Sequence, residues 1–234
     1  MIRVYPYESL GRANHGWLDA RHHFSFAEYR NPERMGFGPL IVINDDIIKP
    51  HAGFDTHPHR DMEIITYVRT GAISHRDSHG NEGRTEAGDV QVMSAGTGIL
   101  HSEHNREQDD TNLFQIWIEP NKLGVDPRWD SHEFPKQPVE SELELLVSGD
   151  GTAPLSIYQD AYIYAGQIAA GAEITHPIHH QAYLVNSSGT LQVNGTTIKK
   201  GDGAEITQQS EIKIQAITDA ELLVIDVPET FSRH

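Results

Sequence analysis

The chain contains no cysteine. That rules out disulfides, thiolate metal sites and cysteine nucleophiles, so any metal must be held by nitrogen and oxygen donors. No apolar run approaches the roughly 20 residues that a membrane-spanning helix needs. Basic residues are scarce: 18 Lys and Arg face 34 Asp and Glu, a formal net charge of −16 at pH 7. A field of that sign repels phosphate backbones and like-charged membrane surfaces, and no basic cluster offsets it, so neither direct nucleic-acid binding nor membrane binding is expected. Helical periodicity is nearly missing as well. Met1-Ile2-Arg3-Val4-Tyr5-Pro6 does not have the basic-then-apolar layout of a secretory signal, which makes the cytoplasm the expected location.

What the chain has in quantity is histidine and turn formers. There are 15 His, seven of them between 51 and 104, with 20 Gly and 12 Pro in 234 residues. Short β-rich runs recur between turn signals: Ile64-Ile65-Thr66-Tyr67-Val68, Val90-Gln91-Val92-Met93 and Phe114-Gln115-Ile116-Trp117-Ile118, the last ended by Pro120. Leu40 to Ile48 reads as a β-rich segment interrupted by a polar turn at Asn44-Asp45-Asp46. Asp77-Ser78-His79-Gly80-Asn81 reads as a turn inside a polar stretch. Residues 120–141, with Pro120, Pro127, Pro135 and Pro138, read as the connection to a second half with the same rhythm, from Leu143 to Val227. Gly71 and Gly88-Asp89 recur weakly as Gly189 and Gly201-Asp202, an internal repeat. The expected fold is therefore all-β, a barrel or sandwich, in two units: 1–135 and 136–234.

Two segments carry the chemistry. His57 and His59 are two residues apart, and so are His101 and Glu103. Alternate side chains of a strand point to one face, so each segment can project two ligands in one direction. If the strands lie side by side, three imidazoles and a carboxylate converge. Glu63 shares the parity of His57 and His59 and competes with Glu103; spacing alone leaves open which carboxylate ligates and which serves as a supporting group or base. Zinc, iron, manganese, cobalt, nickel and copper all suit such a donor set, and open positions beside mixed nitrogen and oxygen ligands favour Fe(II) and its neighbours. His176-Pro177 resembles His57-Pro58, but Ile178 stands where His59 would be, so the second half is expected to lack a full metal site. Phe24, Phe26 and Met93 are candidates to wall a pocket.

His57-x-His59-x3-Glu63 and Gly88-x12-His101-x3-Asn105 resemble the two cupin motifs. Gly53-Phe54-x2-His57-Pro58-His59-x3-Glu63-x3-Tyr67-Val68, with Met93-Ser94-Ala95-Gly96-Thr97-Gly98-Ile99-x-His101-Ser102-Glu103, resembles the pirin family more specifically. Asn14-His15-Gly16-Trp17, His23-Phe24-Ser25-Phe26, Asp77-Ser78-x-Gly80 and Gln115-Ile116-Trp117-Ile118 extend the likeness over roughly the first 125 residues. The resemblance implies a bicupin: two jelly-roll-like β-barrel domains packed together, an N-terminal cupin domain (1–135) with the metal and a C-terminal cupin-like domain (136–234) without a full site. It implies metal ligands at His57, His59, His101 and Glu103, with Glu103 or Glu63 as the catalytic base. It further implies one of two roles. One is a quercetin 2,3-dioxygenase, opening the heterocyclic ring of flavonols with O2 and releasing CO. The other is a non-catalytic metal or redox sensor that binds a protein partner. An enzyme acting on a related enediol or catechol, with quercetin accepted incidentally, is a further expectation.

Overall fold

The computed structural model describes residues 1–230. It is built almost wholly of strands; among the described residues the only helix is the 3-10 turn Tyr7–Ser9. The all-β expectation holds. The chain divides into two compact units, one comprising residues 11–135 and 155–159, the other 1–10, 136–154 and 160–230. Two short segments thus fall on the other side of a cut at 135/136. The strand Ile2–Tyr5 pairs with Gly203–Ile206 and belongs to the C-terminal unit.

In the N-terminal unit, the larger sheet runs in the order Arg128–His132, Val90–Ser94, Glu63–Thr70, Thr111–Ile118, Leu40–Ile48, Leu18–His22, Gly11–Asn14. The smaller sheet runs Gly53–His59, Ile99–His104, Ala72–Asp77, Glu82–Glu86. Their inner faces meet. Ile73 of the small sheet packs with Leu18, Ile48, Val68 and Leu113 of the large one, burying a common apolar layer. All pairings are antiparallel, and the two faces of a strand alternate, so each inner residue's neighbour along the chain faces outward.

Two readings of the sequence need correction here. Leu40–Ile48 is one unbroken strand, not a strand interrupted by a turn. Its polar centre is satisfied in place: Arg69 pairs with Asp45 at 2.7 Å, Asn112 Nδ2 donates to Asp45 Oδ1 at 2.8 Å, and His22 Nδ1 lies 2.7 Å from Asn44 Oδ1. Buried polar groups with partners do not break a ladder. Residues 120–141 are not wholly a connection, since Arg128–His132 adds an edge strand beside Val90–Ser94. The polar stretch 74–87 is a hairpin around the expected turn, where Asp77 Oδ1 accepts the N–H of His79 and of Asn81.

The C-terminal unit has a continuous apolar interior. Leu184, Leu191, Ile198, Ile206, Ile212, Ile214, Leu222 and Val224 are all fully buried in one cluster.

The two strands that carry the expected ligands approach closely at one glycine. A Cβ on Gly53 would lie 2.2 Å from the carbonyl oxygen of Glu103 and 2.5 Å from Cα of His104. Gly53→Ala should therefore force the strands apart. The expected cost is about 1–3 kcal/mol, as for other overpacked sites, seen as a fall in Tm of roughly 2–10 °C. An unchanged Tm on thermal denaturation would show that the strands can give way freely.

Candidate metal centre

The strands Gly53–His59 and Ile99–His104 lie side by side, with His101 directly opposite His57. The ladder is irregular beyond that pair: two steps from His101 to Glu103 span three steps from Phe54 to His57. Such a bulge re-aims the side chains next to it. His57 Nε2 lies 3.0 Å from His101 Nε2. The ring centroid of His59 is 4.8 Å from that of His57 and 4.9 Å from that of His101. One ligand-type atom from each of the three rings lies within 4.8 Å of the others.

The state of these nitrogens suits metal binding. His57 Nδ1 stands 2.6 Å from the carbonyl oxygen of Asp55, which can only accept, so the ring hydrogen sits on Nδ1 and the Nε2 lone pair points inward. Burial, reinforced by neighbouring imidazoles, pulls His59 down to about 4 and His101 down to about 3. Both are neutral at pH 7, the state a metal requires. Lone pairs converging from three imidazoles suit a divalent cation far better than they suit one another.

Glu103 sits deeper and is fully buried. Its Oε1 accepts from Gln91 Nε2 at 2.6 Å and from Thr66 Oγ1 at 3.3 Å; its Oε2 accepts from Gln115 Nε2 at 2.6 Å. The amides are themselves oriented: Thr85 Oγ1 donates to Gln91 Oε1 at 3.0 Å, and Trp117 Nε1 donates to Gln115 Oε1 at 3.2 Å. Glu103 joins His101 and His75 within 4.8 Å, while the other grouping at that spacing holds His57, His59 and His101. His101 is the residue common to both.

Glu63 is elsewhere. Thr66 reaches Glu103 from the same strand, so Glu63, three residues away, faces the opposite side of the sheet. There its Oε2 accepts from Ser94 Oγ at 2.7 Å, close to Arg128 and the backbone of Tyr158. The parity with His57 and His59 that suggested an inward Glu63 does not carry through, because Asp61 turns the chain with a positive φ of 46° before the next strand begins.

A pocket of about 480 Å3 opens beside His57 and His59, within the range of about 300–1,000 Å3 common for small-molecule sites. Trp17, Phe26, Phe54 and Trp117 supply aromatic walls, and Asn44, Asp46 and Gln115 supply polar points. Of the aromatic candidates, Phe26 lines this pocket and meets Trp117 edge to face at 5.5 Å. Phe24 is buried beneath the Arg34 guanidinium, and Met93 packs with Ile64, Ala95 and Ile99. The sequence reading missed Asp46, Gln91 and His75. The signal available was a polar residue within a strand buried on both faces, as in Val90–Ser94. Burial, with Asp45 and Glu103 nearby, pushes the Asp46 carboxyl well above the usual range.

The C-terminal unit offers no such set among the described residues. His176 pairs across its ladder with Ile212, where His57 pairs with His101. Its ring packs edge to face on Tyr164 at 4.5 Å.

Comparison with known proteins places this geometry in context. The family model described as Pirin matches residues 4–118, and the one described as Quercetinase C-terminal cupin domain matches residues 145–227. A Pseudomonas aeruginosa protein named provisionally as a quercetin 2,3-dioxygenase is 51% identical, over 97% of this chain and 100% of its own. The Escherichia coli protein named quercetin 2,3-dioxygenase is 40% identical, over 97% of this chain and 99% of its own. The crystal structure of the bacterial pirin YhhW from Escherichia coli in complex with nickel(II) superposes with a TM-score of 0.91 at 40% identity, over 97% of this chain and 99% of that one.

The position of Glu63 gives a prediction about pH. Burial pushes its carboxyl up from 4.5 to about 7, against the opposing pull of Ser94, Tyr158 and Arg128. The folded state thus holds this proton more tightly than the unfolded state. The contribution of Glu63 to stability is greatest below about pH 4.5, declines as pH rises toward 7, and is constant above that. Glu63→Gln should therefore gain about 1–3 kcal/mol over the parent at pH 8, and the gain should vanish near pH 4.5. Denaturant melts of both proteins across this range check it; a difference independent of pH would refute the assignment.

Proposed function

The chain belongs to the pirin family, and on that premise we propose that it is a metal-dependent dioxygenase that opens the heterocyclic ring of flavonols such as quercetin with O2, releasing CO. The observation that carries the reading is the juxtaposition of three converging imidazoles with an aromatic-walled pocket. His57, His59, His101 and Glu103 would hold the cation, with Fe(II) the first expectation and nickel(II), the ion in the YhhW complex, among the alternatives. Three nitrogen donors and one oxygen donor leave coordination positions open.

When bound, the cation supplies Lewis acidity to the flavonol 3-hydroxyl and a common meeting point for the flavonol and O2. The chain does the rest. Trp17, Phe26, Phe54 and Trp117 take up the flat rings, and their apolar surfaces exclude water from the reacting carbon atoms. Glu103 would receive the hydroxyl proton by loosening from the cation, which frees the one acceptor site its partners leave open. A carboxylate has about four lone-pair sites, and Gln91, Thr66 and Gln115 occupy three of them. The two glutamines hold this acceptor in one orientation, so it need not reorganise when the proton arrives. Glu63, on the far face of the sheet, takes no part.

The iron-loaded protein should consume quercetin under O2, followed by the loss of flavonol absorbance and by CO release. His57→Ala and Glu103→Ala should each lower the rate roughly a hundredfold or more, the scale expected when a metal ligand or proton acceptor is lost. No consumption above a metal-free control would reject the proposal. Faster turnover of a simple catechol or enediol than of any flavonol would move the substrate assignment to that class.

A further inference from the structure

Beside the ligand set lies a buried pair that the proposed reaction leaves unused. His75 Nε2 stands 2.9 Å from Asp77 Oδ2, and both side chains are almost fully shielded from solvent. A carboxylate only accepts, so in the neutral imidazole this contact places the ring hydrogen of His75 on Nε2 and leaves the lone pair on Nδ1. That Nδ1 is buried and has no hydrogen-bond partner in the protein. The same holds for Nδ1 of His101. His101 presents its Nε2 to His57; with that nitrogen facing a cation, its ring hydrogen must sit on Nδ1.

A buried donor without an acceptor and a buried acceptor without a donor therefore belong to adjacent rings. The His75 and His101 centroids are 5.4 Å apart, and one ligand-type atom of each lies within 4.8 Å of the other. A gap of that size between two ring nitrogens is one that a single water can span. Unmet, each nitrogen would bear the full penalty of its desolvation. The His75 ring has little freedom to turn away. It is stacked on Trp129 at 4.9 Å with an interplanar angle of 8°, and Trp129 is seated against Gly83, where a Cβ would lie 2.1 Å from the indole.

We propose that His75 and Asp77 are positioning residues for the ligand His101: Asp77 fixes the tautomer of His75, and His75 Nδ1 receives the Nδ1–H of His101 through a bridging water. The proposal rests on the reading of His101 as a cation ligand. The alternative, a second cation on His75, His101 and Glu103, would have to share His101 and Glu103 with the first.

The test uses zinc(II) as a diamagnetic probe of the full chain. Long-range proton–nitrogen NMR correlations of the zinc-loaded parent should show His75 with its hydrogen on Nε2 and His101 with its hydrogen on Nδ1. Titration against a chromophoric chelator should give one zinc per chain. His75→Phe, which keeps a ring on Trp129 but no nitrogen, should bind zinc about 10–100-fold more weakly while its metal-free form melts at the parent's temperature. A His75 hydrogen on Nδ1, a second zinc lost with His75→Phe, or parental affinity in that variant would each overturn the proposal. If the variant does not fold, the tautomers of the parent decide. A parent that takes up no zinc overturns the ligand reading itself, which is separable from a parent that binds zinc with the wrong tautomers.

Discussion

The N-terminal unit is organised around a carboxylate that has been taken out of water. Glu103 lies between two sheets, and an unpaired carboxylate there would be intolerable. Three donors from three different strands meet it: Thr66, Gln91 and Gln115. That requirement fixes the register of those strands, because a slip of one residue would turn each donor to the outer face. It also ties the small sheet, which carries the histidines, to the large one, which carries the amides. The candidate metal centre and the sandwich are one arrangement: the groups that make Glu103 tolerable are the groups that orient it.

The contrast between the two units follows from the same physics. Where the N-terminal interior accommodates imidazoles and a carboxylate, the C-terminal interior is closed with Ile212, Ile214 and their neighbours. Exchanging His101 for an isoleucine at the corresponding ladder position, as at Ile212 opposite His176, removes the need for any polar partner. A filled apolar interior needs only shape complementarity, whereas a polar one needs every member satisfied.

Much of this was legible in the chain, and what was not has identifiable causes. The all-β architecture could be read from period-two runs and glycine punctuation. The pairing of the two ligand segments could be read from matched His-x-His and His-x-Glu spacing, since a strand converts that spacing directly into direction. The orientation of Glu63 could not, because parity counts only within one uninterrupted strand, and Asp61 breaks the count. Asn44-Asp45-Asp46 mimicked a turn because composition alone does not reveal that Arg69, Asn112 and His22 wait on neighbouring strands. Asp77 was visible only as a turn residue. Its second role, holding His75, depends on a hairpin that brings that imidazole under Trp129, a residue 54 positions away that the sequence assigns to the connection.

The strand Ile2–Tyr5 has a consequence for how the molecule is made. It precedes the first unit in the chain, yet its hydrogen-bonding partner, Gly203–Ile206, follows that unit. While the first unit is being made its backbone donors and acceptors have no ladder to join, and Gly11–Asn14, the next strand, is free to fold with the first unit. The edge it will complete does not exist until Gly203–Ile206 has been made. The strand Ile2–Tyr5 therefore acts as a late closing strap on the second unit, and alterations to it should be felt there and not in the unit that follows it in sequence.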